Sequence, residues 1–147
     1  MHLSADGAES EAGIALIQND RSALLLTLNE RGLLRLTHHR DGTVAELAAA
    51  DWSSRDAYLK IVGNYLDLGF YYSSDGTTWQ VLAEGVGGIV LSPAEIGGYN
   101  YTGVNIGPYA STNGAAAVGR AVFDYFDYRP TARDRDDWFV RQTRRER

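Results

Sequence analysis

Apolar residues recur at every second position through much of this chain, a period that selects extended strands over helices. In AGIALIQ (12–18), Ile14 and Leu16 share one face and Ile17 takes the other; SALLLTLN (22–29) returns with Leu24, Leu26 and Leu28 aligned. Asn19-Asp20 supplies the turn between these two strands. After Arg31-Gly32 the segment LLRLTHH (33–39) alternates Leu34 and Leu36 with Arg35 and Thr37, which predicts one apolar and one wet face. Asp41-Gly42 is a hairpin signal leading into a short strand, TVAEL (43–47). AAADWSSRD (48–56) reads as a polar connection whose Ala run suits a single helical turn. YLKIVGN (58–64) directs Leu59 and Ile61 inward and Lys60 outward.

The clearest local signal is FYYSSDGTTW (70–79), in which alternating aromatics meet a turn and the apolar pattern resumes at Trp79, Val81 and Leu82. Asp75-Gly76 between such runs predicts a tight reversal with positive-φ positions. From Glu84 to Tyr99 the alternation is lost; five Gly and a Pro predict a long loop with one short strand at 89–91. Strands resume over 102–110 and 120–128. About nine short strands separated by Gly, Asp-Gly and Asn-Asp turns predict an all-β fold, an antiparallel two-sheet β-sandwich or jelly roll, with a closed barrel as the lesser alternative. The expected organisation is a disordered, acidic N-terminus (1–11), a sandwich (12–130) and a charged tail (131–147). That tail's apolar cluster is Trp138-Phe139-Val140.

Composition narrows the chemistry more than the fold. A length of 147 residues suits one domain. The absence of cysteine removes disulfides, thiolate chemistry and Cys-based zinc sites. No long apolar run or basic-then-apolar start is present, so neither a membrane span nor a signal peptide is expected. The chain is expected to be soluble, with a cytoplasmic location slightly favoured. Of the net charge of −5, residues 129–147 contribute seven Arg against four acids, or +3, leaving −8 on residues 1–128. An acidic body argues against nucleic-acid binding, which needs clustered cations to release counterions.

Candidate catalytic groups are sparse. Asp124 and Asp127 invite a glycosidase reading, but three residues apart on one strand places them about 10 Å apart on opposite faces. His38 and His39, as neighbours, also face opposite ways, and no metal-ligand spacing occurs; no cofactor is expected, with a structural calcium left open. Ser73 to Trp79 resembles a sialidase Asp-box whose Gly comes one residue early, so it reads as a turn with Trp79 packed beneath it. Asn100-Tyr101-Thr102 matches a glycosylation acceptor without a secretory signal. The informative cluster is Tyr99, Asn100, Tyr101, Asn105 and Tyr109, with Asn113 nearby. Tyr rings stack on the C–H faces of sugars, and Asn amides both donate to and accept from hydroxyls. The same rings could equally serve a core.

EAGIALIQND, YLKIVGNYLDLGFYYSSDGTTWQVL, LS followed by GGYNYTGVNIGPYA, and AVFDYFDYRP stand in this order from Glu11 to Pro130. Together they resemble the C-terminal concanavalin A-like module of glycoside hydrolase family 43, the β-xylosidase and arabinofuranosidase group. The resemblance implies a two-sheet sandwich packed against a five-bladed propeller that carries the catalytic carboxylates, and hence an accessory module with no hydrolytic site of its own. It also implies that Tyr101, ahead of Thr102-Gly103 where the family more often has Phe, reaches the mouth of the propeller's pocket. Family modules begin with further strands before the AGIALIQ-like segment. The resemblance is therefore to a module incomplete at its N-terminus, whose open edges call for a partner chain, a swapped strand or cover by a terminus such as Trp138-Phe139-Val140.

Three readings follow. The chain is an accessory module shaping the cleft of a xylan-degrading glycosidase; or a free-standing carbohydrate-binding module holding a xylo-oligosaccharide through Tyr99, Tyr101 and Asn105; or a structural module whose sandwich face makes a homo-oligomer. The expected partners are accordingly a propeller catalytic domain, a xylo-oligosaccharide or a second copy, with neither nucleic acid nor membrane among them.

Overall fold

The structure is a computed structural model that describes residues 2–5, 10–92, 95, 103–114 and 119–130. Its strands are β1 (His2–Ala5), β2 (Glu11–Asn19), β3 (Ser22–Asn29), β4 (Leu33–Arg40), β5 (Thr43–Asp51), β6 (Tyr58–Asn64), β7 (Asp67–Ser73), β8 (Gln80–Gly87), β9 (Asn105–Ser111) and β10 (Gly119–Val122). A 3-10 turn, Gly88–Leu91, follows β8. Every strand pair is antiparallel. Five strands form one sheet in the order β5-β4-β3-β2-β9, three form a second in the order β6-β7-β8, and β1 pairs with β10 as a ribbon. This is the two-layer concanavalin A-like β-sandwich expected from the sequence.

The alternation of the sequence places the core. Leu16, Leu24, Leu26 and Leu36 of the five-stranded sheet meet Phe70 of the three-stranded sheet, and Leu91 joins them from the 3-10 turn. A second cluster unites Leu28, Leu34, Ala57 and Tyr72. Leu59 and Ile61 pack against the first cluster from β6, as their period requires. Burying each such side chain contributes about 1.5–3 kcal/mol before conformational entropy is set against it.

Local differences from the sequence reading have identifiable causes. β5 runs to Asp51, so the Ala run is strand rather than helical turn: Ala48 and Ala50 point at the two core clusters, and Leu47 is the extra residue of a bulge opposite Leu36 and Thr37. Residues 89–91 make a 3-10 turn instead of a strand, with Leu91 buried in the core. Strand β10 ends at Val122, and residues 123–130 continue without a ladder partner. In the stretch expected to lack structure, His2–Ala5 is a strand, and Ser10 and Glu11 are buried.

The two Asp-Gly turns differ. Asp41 and Gly42 both have positive φ, 49° and 80°, as a two-residue type I′ hairpin demands. At the second turn Gly76 alone is positive, at 73°, and the reversal spans the residues between Ser73 and Gln80. Asp75 shapes this longer loop: its Oδ1 accepts hydrogen bonds from the backbone N–H groups of Thr77 (2.8 Å) and Thr78 (2.7 Å) and from Ser73 Oγ (2.9 Å).

Candidate functional site

The outer face of the five-stranded sheet is where strand register gathers polar groups. On β2, Glu11 and Gly13 alternate toward this face; Gly13 stands opposite Thr27 of β3 and Tyr109 of β9, and Thr27 stands opposite Arg35 of β4. The Glu11 carboxylate, on a residue only 5% exposed, accepts hydrogen bonds from Thr27 Oγ1 (2.9 Å) and Arg35 Nη2 (3.1 Å). A buried carboxylate is tolerable because the guanidinium and hydroxyl replace its lost water. The Arg35 Nε and Ser10 Oγ atoms are buried without hydrogen-bond partners among the described residues. Gly13 permits the close approach of β2 to β3, since a Cβ there would run into the Leu26 carbonyl.

Of the residues singled out from the sequence, Asn105 and Tyr109 fall on this same face of β9, opposite Ile17 and Gly13. Asn105 is exposed and Tyr109 half-buried, so an amide and a phenol ring lie about 13 Å apart along one strand. Tyr99, Asn100 and Tyr101 lie outside the described residues. The sequence reading missed Glu11, Thr27 and Arg35; the available signal was a charged residue at an alternate position between leucines. The wet face expected for β4 is only partly so: Thr37 is 5% exposed, and Arg35 is drawn in by Glu11.

The outer face of the three-stranded sheet carries a second polar and aromatic group. Lys60 Nζ sits 3.9 Å from the centre of the Trp79 ring and 5.1 Å from that of Tyr71, a cation held between two aromatic quadrupoles. Tyr71 donates its hydroxyl to Glu84 Oε1 (2.7 Å), and that bond pushes the phenol's pKa upward. Trp79 therefore packs on Lys60 rather than beneath the turn; the ring of Tyr58 is what lies against Gly76. The hydrogen bonds from Thr78, Thr77 and Ser73 hold the Asp75 carboxyl well below the usual carboxylate range, as expected of a turn scaffold rather than an acid catalyst.

Asp124 and Asp127 both line the groove beside β6. Asp124 and Asp127 are exposed on the unpaired segment 123–130, and Asp127 is bound to Arg129 at 2.6 Å. His38 turns toward the core side of β4 with Nε2 buried and unpartnered among the described residues; burial, then the charges of Arg40 and His39, lowers its pKa. His39 faces the other way, 3.1 Å from Thr37 Oγ1. Among the described residues no group of three or more His, Asp or Glu is placed to hold a metal, and no helix is long and apolar enough to cross a membrane.

The described residues also form concavities. A cleft of about 490 Å³ at one end of the sandwich is lined by Arg31, Asp51, Trp52, Tyr72 and Gln80, with the Trp52 and Tyr72 rings edge-to-face at 5.4 Å. A groove of about 670 Å³ runs between β6 and the β2–β9 side of the larger sheet, walled by residues 123–130.

The family model of the beta xylosidase C-terminal concanavalin A-like domain matches residues 1–129. The chain belongs to that family. Its fold is also similar to the crystal structure of the GH43 BlXynB protein from Bacillus licheniformis, with a TM-score of 0.70 and 23% identity over 80% of this chain and 24% of that one. A mutant of the same protein gives a TM-score of 0.67 at 22% identity, with the same coverage. The Bacteroides ovatus xyloglucan PUL GH43B protein gives 0.66 and 22% over 77% of this chain and 22% of its own. The chain thus spans about a quarter of the length of these structures. No curated protein matches it.

Proposed function

We propose that this chain is a non-catalytic accessory module of a xylan-degrading glycosidase of the β-xylosidase or arabinofuranosidase type, shaping the active-site cleft of a propeller catalytic domain. The observation that carries this reading is the family match over 1–129 set beside the short share, about a quarter, of each similar GH43 structure that the chain spans. Exposed Asp124 and Asp127, the latter paired with Arg129, agree with hydrolytic chemistry residing elsewhere. Tyr99, Asn100 and Tyr101, with Asn105 and Tyr109, are the residues assigned to the cleft. Tyr101 supplies a ring for stacking on the sugar.

The test is kinetic. The chain alone should leave an aryl β-xyloside intact. Joined to its propeller, the Tyr101→Ala variant should show a raised KM or lowered kcat for short xylo-oligosaccharides with an unchanged circular dichroism spectrum. Hydrolysis by the isolated chain, or kinetics indifferent to Tyr101, would refute the reading.

A second reading, a free-standing carbohydrate-binding module, is favoured by the exposed Asn105 and half-buried Tyr109 sharing one sheet face. It requires a change in Tyr and Trp fluorescence on titration with xylo-oligosaccharide, and silence at millimolar sugar rules it out.

A further inference from the structure

The residues that follow β5, Trp52-Ser53-Ser54-Arg55-Asp56, set one indole among polar neighbours. Trp52 packs against the second core cluster yet stays partly exposed, and its ring meets Tyr72 edge-to-face at 5.4 Å. Two hydrogen bonds then fix it. The Trp52 backbone N–H donates to the Gly32 carbonyl (2.7 Å), and its Nε1 donates to the Asp56 carbonyl (2.9 Å). Gly32, at a φ of 77°, permits this approach, because a Cβ there would strike the Trp52 carbonyl. An exposed indole held this rigidly is preorganised: little rotamer freedom is left for a ligand to take away.

Polar groups from separate elements surround the ring. Arg31 comes from the β3–β4 turn, Asp51 ends β5 and Gln80 opens β8; all three are exposed and line the cleft of about 490 Å³. That size falls within the range of about 300–1,000 Å³ common to ligand pockets. Arg31 and Asp51 bring opposite charges to one rim, so the site favours neither an anion nor a cation. It offers instead what a neutral polyol needs. Asp51 accepts from hydroxyls, Arg31 donates to them and Gln80 does both, while the Trp52 ring presents apolar surface to C–H groups. The cleft is open on one side, which suits one ring of a chain better than an enclosed small molecule.

We propose that this cleft is a carbohydrate subsite holding one pyranose ring of a neutral oligosaccharide, with Trp52 as its apolar platform and Arg31, Asp51 and Gln80 as hydroxyl partners. It is separate from the residues assigned above to the propeller's cleft. β5 and β9 are opposite edges of the five-stranded sheet, about 19 Å apart across four strand spacings, so Asp51 stands well away from Asn105 and Tyr109. The subsite does not depend on the accessory role, since a module joined to a propeller and a free-standing one would both carry it.

Titration of the isotope-labelled full chain with xylotriose, and separately with cellotriose, tests it by NMR. At millimolar concentration at least one of these sugars should shift the amide resonances of residues 31–32, 51–53 and 80. Asp51→Ala should raise the Kd about tenfold and Gln80→Ala about threefold, the first having lost a charge-assisted hydrogen bond and the second a neutral one. Both positions are exposed, so the thermal midpoint should not move. Trp52→Ala should abolish the shifts; should it fail to fold, the Asp51 and Gln80 variants still decide. Silence from both sugars would overturn the proposal. So would shifts confined to 105–109, which assign the sugar to the β9 face, or a Kd unmoved by Asp51→Ala. The Tyr101→Ala kinetics bear on the accessory role alone, so the two readings fail separately.

Discussion

The two main sheets use the same alternation to different ends. In the five-stranded sheet β3 is buried on both faces: Leu24, Leu26 and Leu28 look into the sandwich, while Leu25 and Thr27 on the opposite side are 3% and 1% exposed. In the three-stranded sheet the large buried side chains, Phe70 and Tyr72, lie on the inner face, while Val62 and Val81 on the outer face are 42% and 54% exposed. The first sheet is therefore the structural centre and carries on its outer face a buried carboxylate paired with a partly exposed guanidinium. The second is a half-wet layer whose outer surface is held together by aromatic and charged contacts. A central strand buried twice tolerates little change, whereas a peripheral sheet can present groups to a partner.

Mutation can break this contrast directly. Leu26→Ala should lower stability by about 2–5 kcal/mol in urea unfolding, because it opens a cavity between the layers. Val81→Ala, on the exposed face, should cost less than about 0.5 kcal/mol. Equal costs would mean that the sheets are not asymmetric. Glu11→Gln should cost about 2 kcal/mol by leaving the Arg35 guanidinium without its counter-charge, and the double variant Glu11→Leu/Arg35→Met should recover much of the loss. No recovery would mean that the pair contributes more than mutual neutralisation.

Smaller effects belong to the outer face of the second sheet. Lys60→Met should cost about 0.5–1 kcal/mol, and a double-mutant cycle with Trp79→Leu should assign most of that to the ring contact. The pH dependence separates the two regions further. For His38 the charged form is disfavoured by folding, so the unfolded chain binds more protons, and stability falls as pH drops below the ordinary value of 6.5. His38→Gln should flatten that limb between pH 7 and 5. Asp75 has the opposite chemistry but the same sign. Its charged form is favoured by folding, so its contribution is present above the ordinary value of 3.8 and is lost as pH falls below it. Asp75→Asn should blunt the acid limb below pH 4 alone, a displacement of the urea midpoint smaller than that of any substitution above.

Much of this architecture was legible in particular residues. The Leu24-Leu26-Leu28 spacing named the buried stripe of β3, Asp41-Gly42 named a hairpin that its φ values make type I′, and Leu59, Lys60 and Ile61 divided β6 into its inner and outer faces. Asn105 and Tyr109, singled out by residue type alone, are placed on one face by the register of β9. Less legible was anything depending on contacts between distant strands. The Ala run of β5 has weak strand propensity of its own and is extended because β4 offers a ladder and the core accepts Ala48 and Ala50. Glu11 and Arg35 are 24 positions apart and meet only because β3 lies between their strands.

What the sequence alone determined is the period, the turns and so the layered all-β class, because side-chain alternation and positive-φ requirements are local properties of a few consecutive residues. The tertiary structure decided which face of each strand is buried twice, where a charge can be taken out of water, and where the smaller sheet stops short of the larger. Those outcomes depend on sheet order and stacking, which bring together residues that no local rule connects.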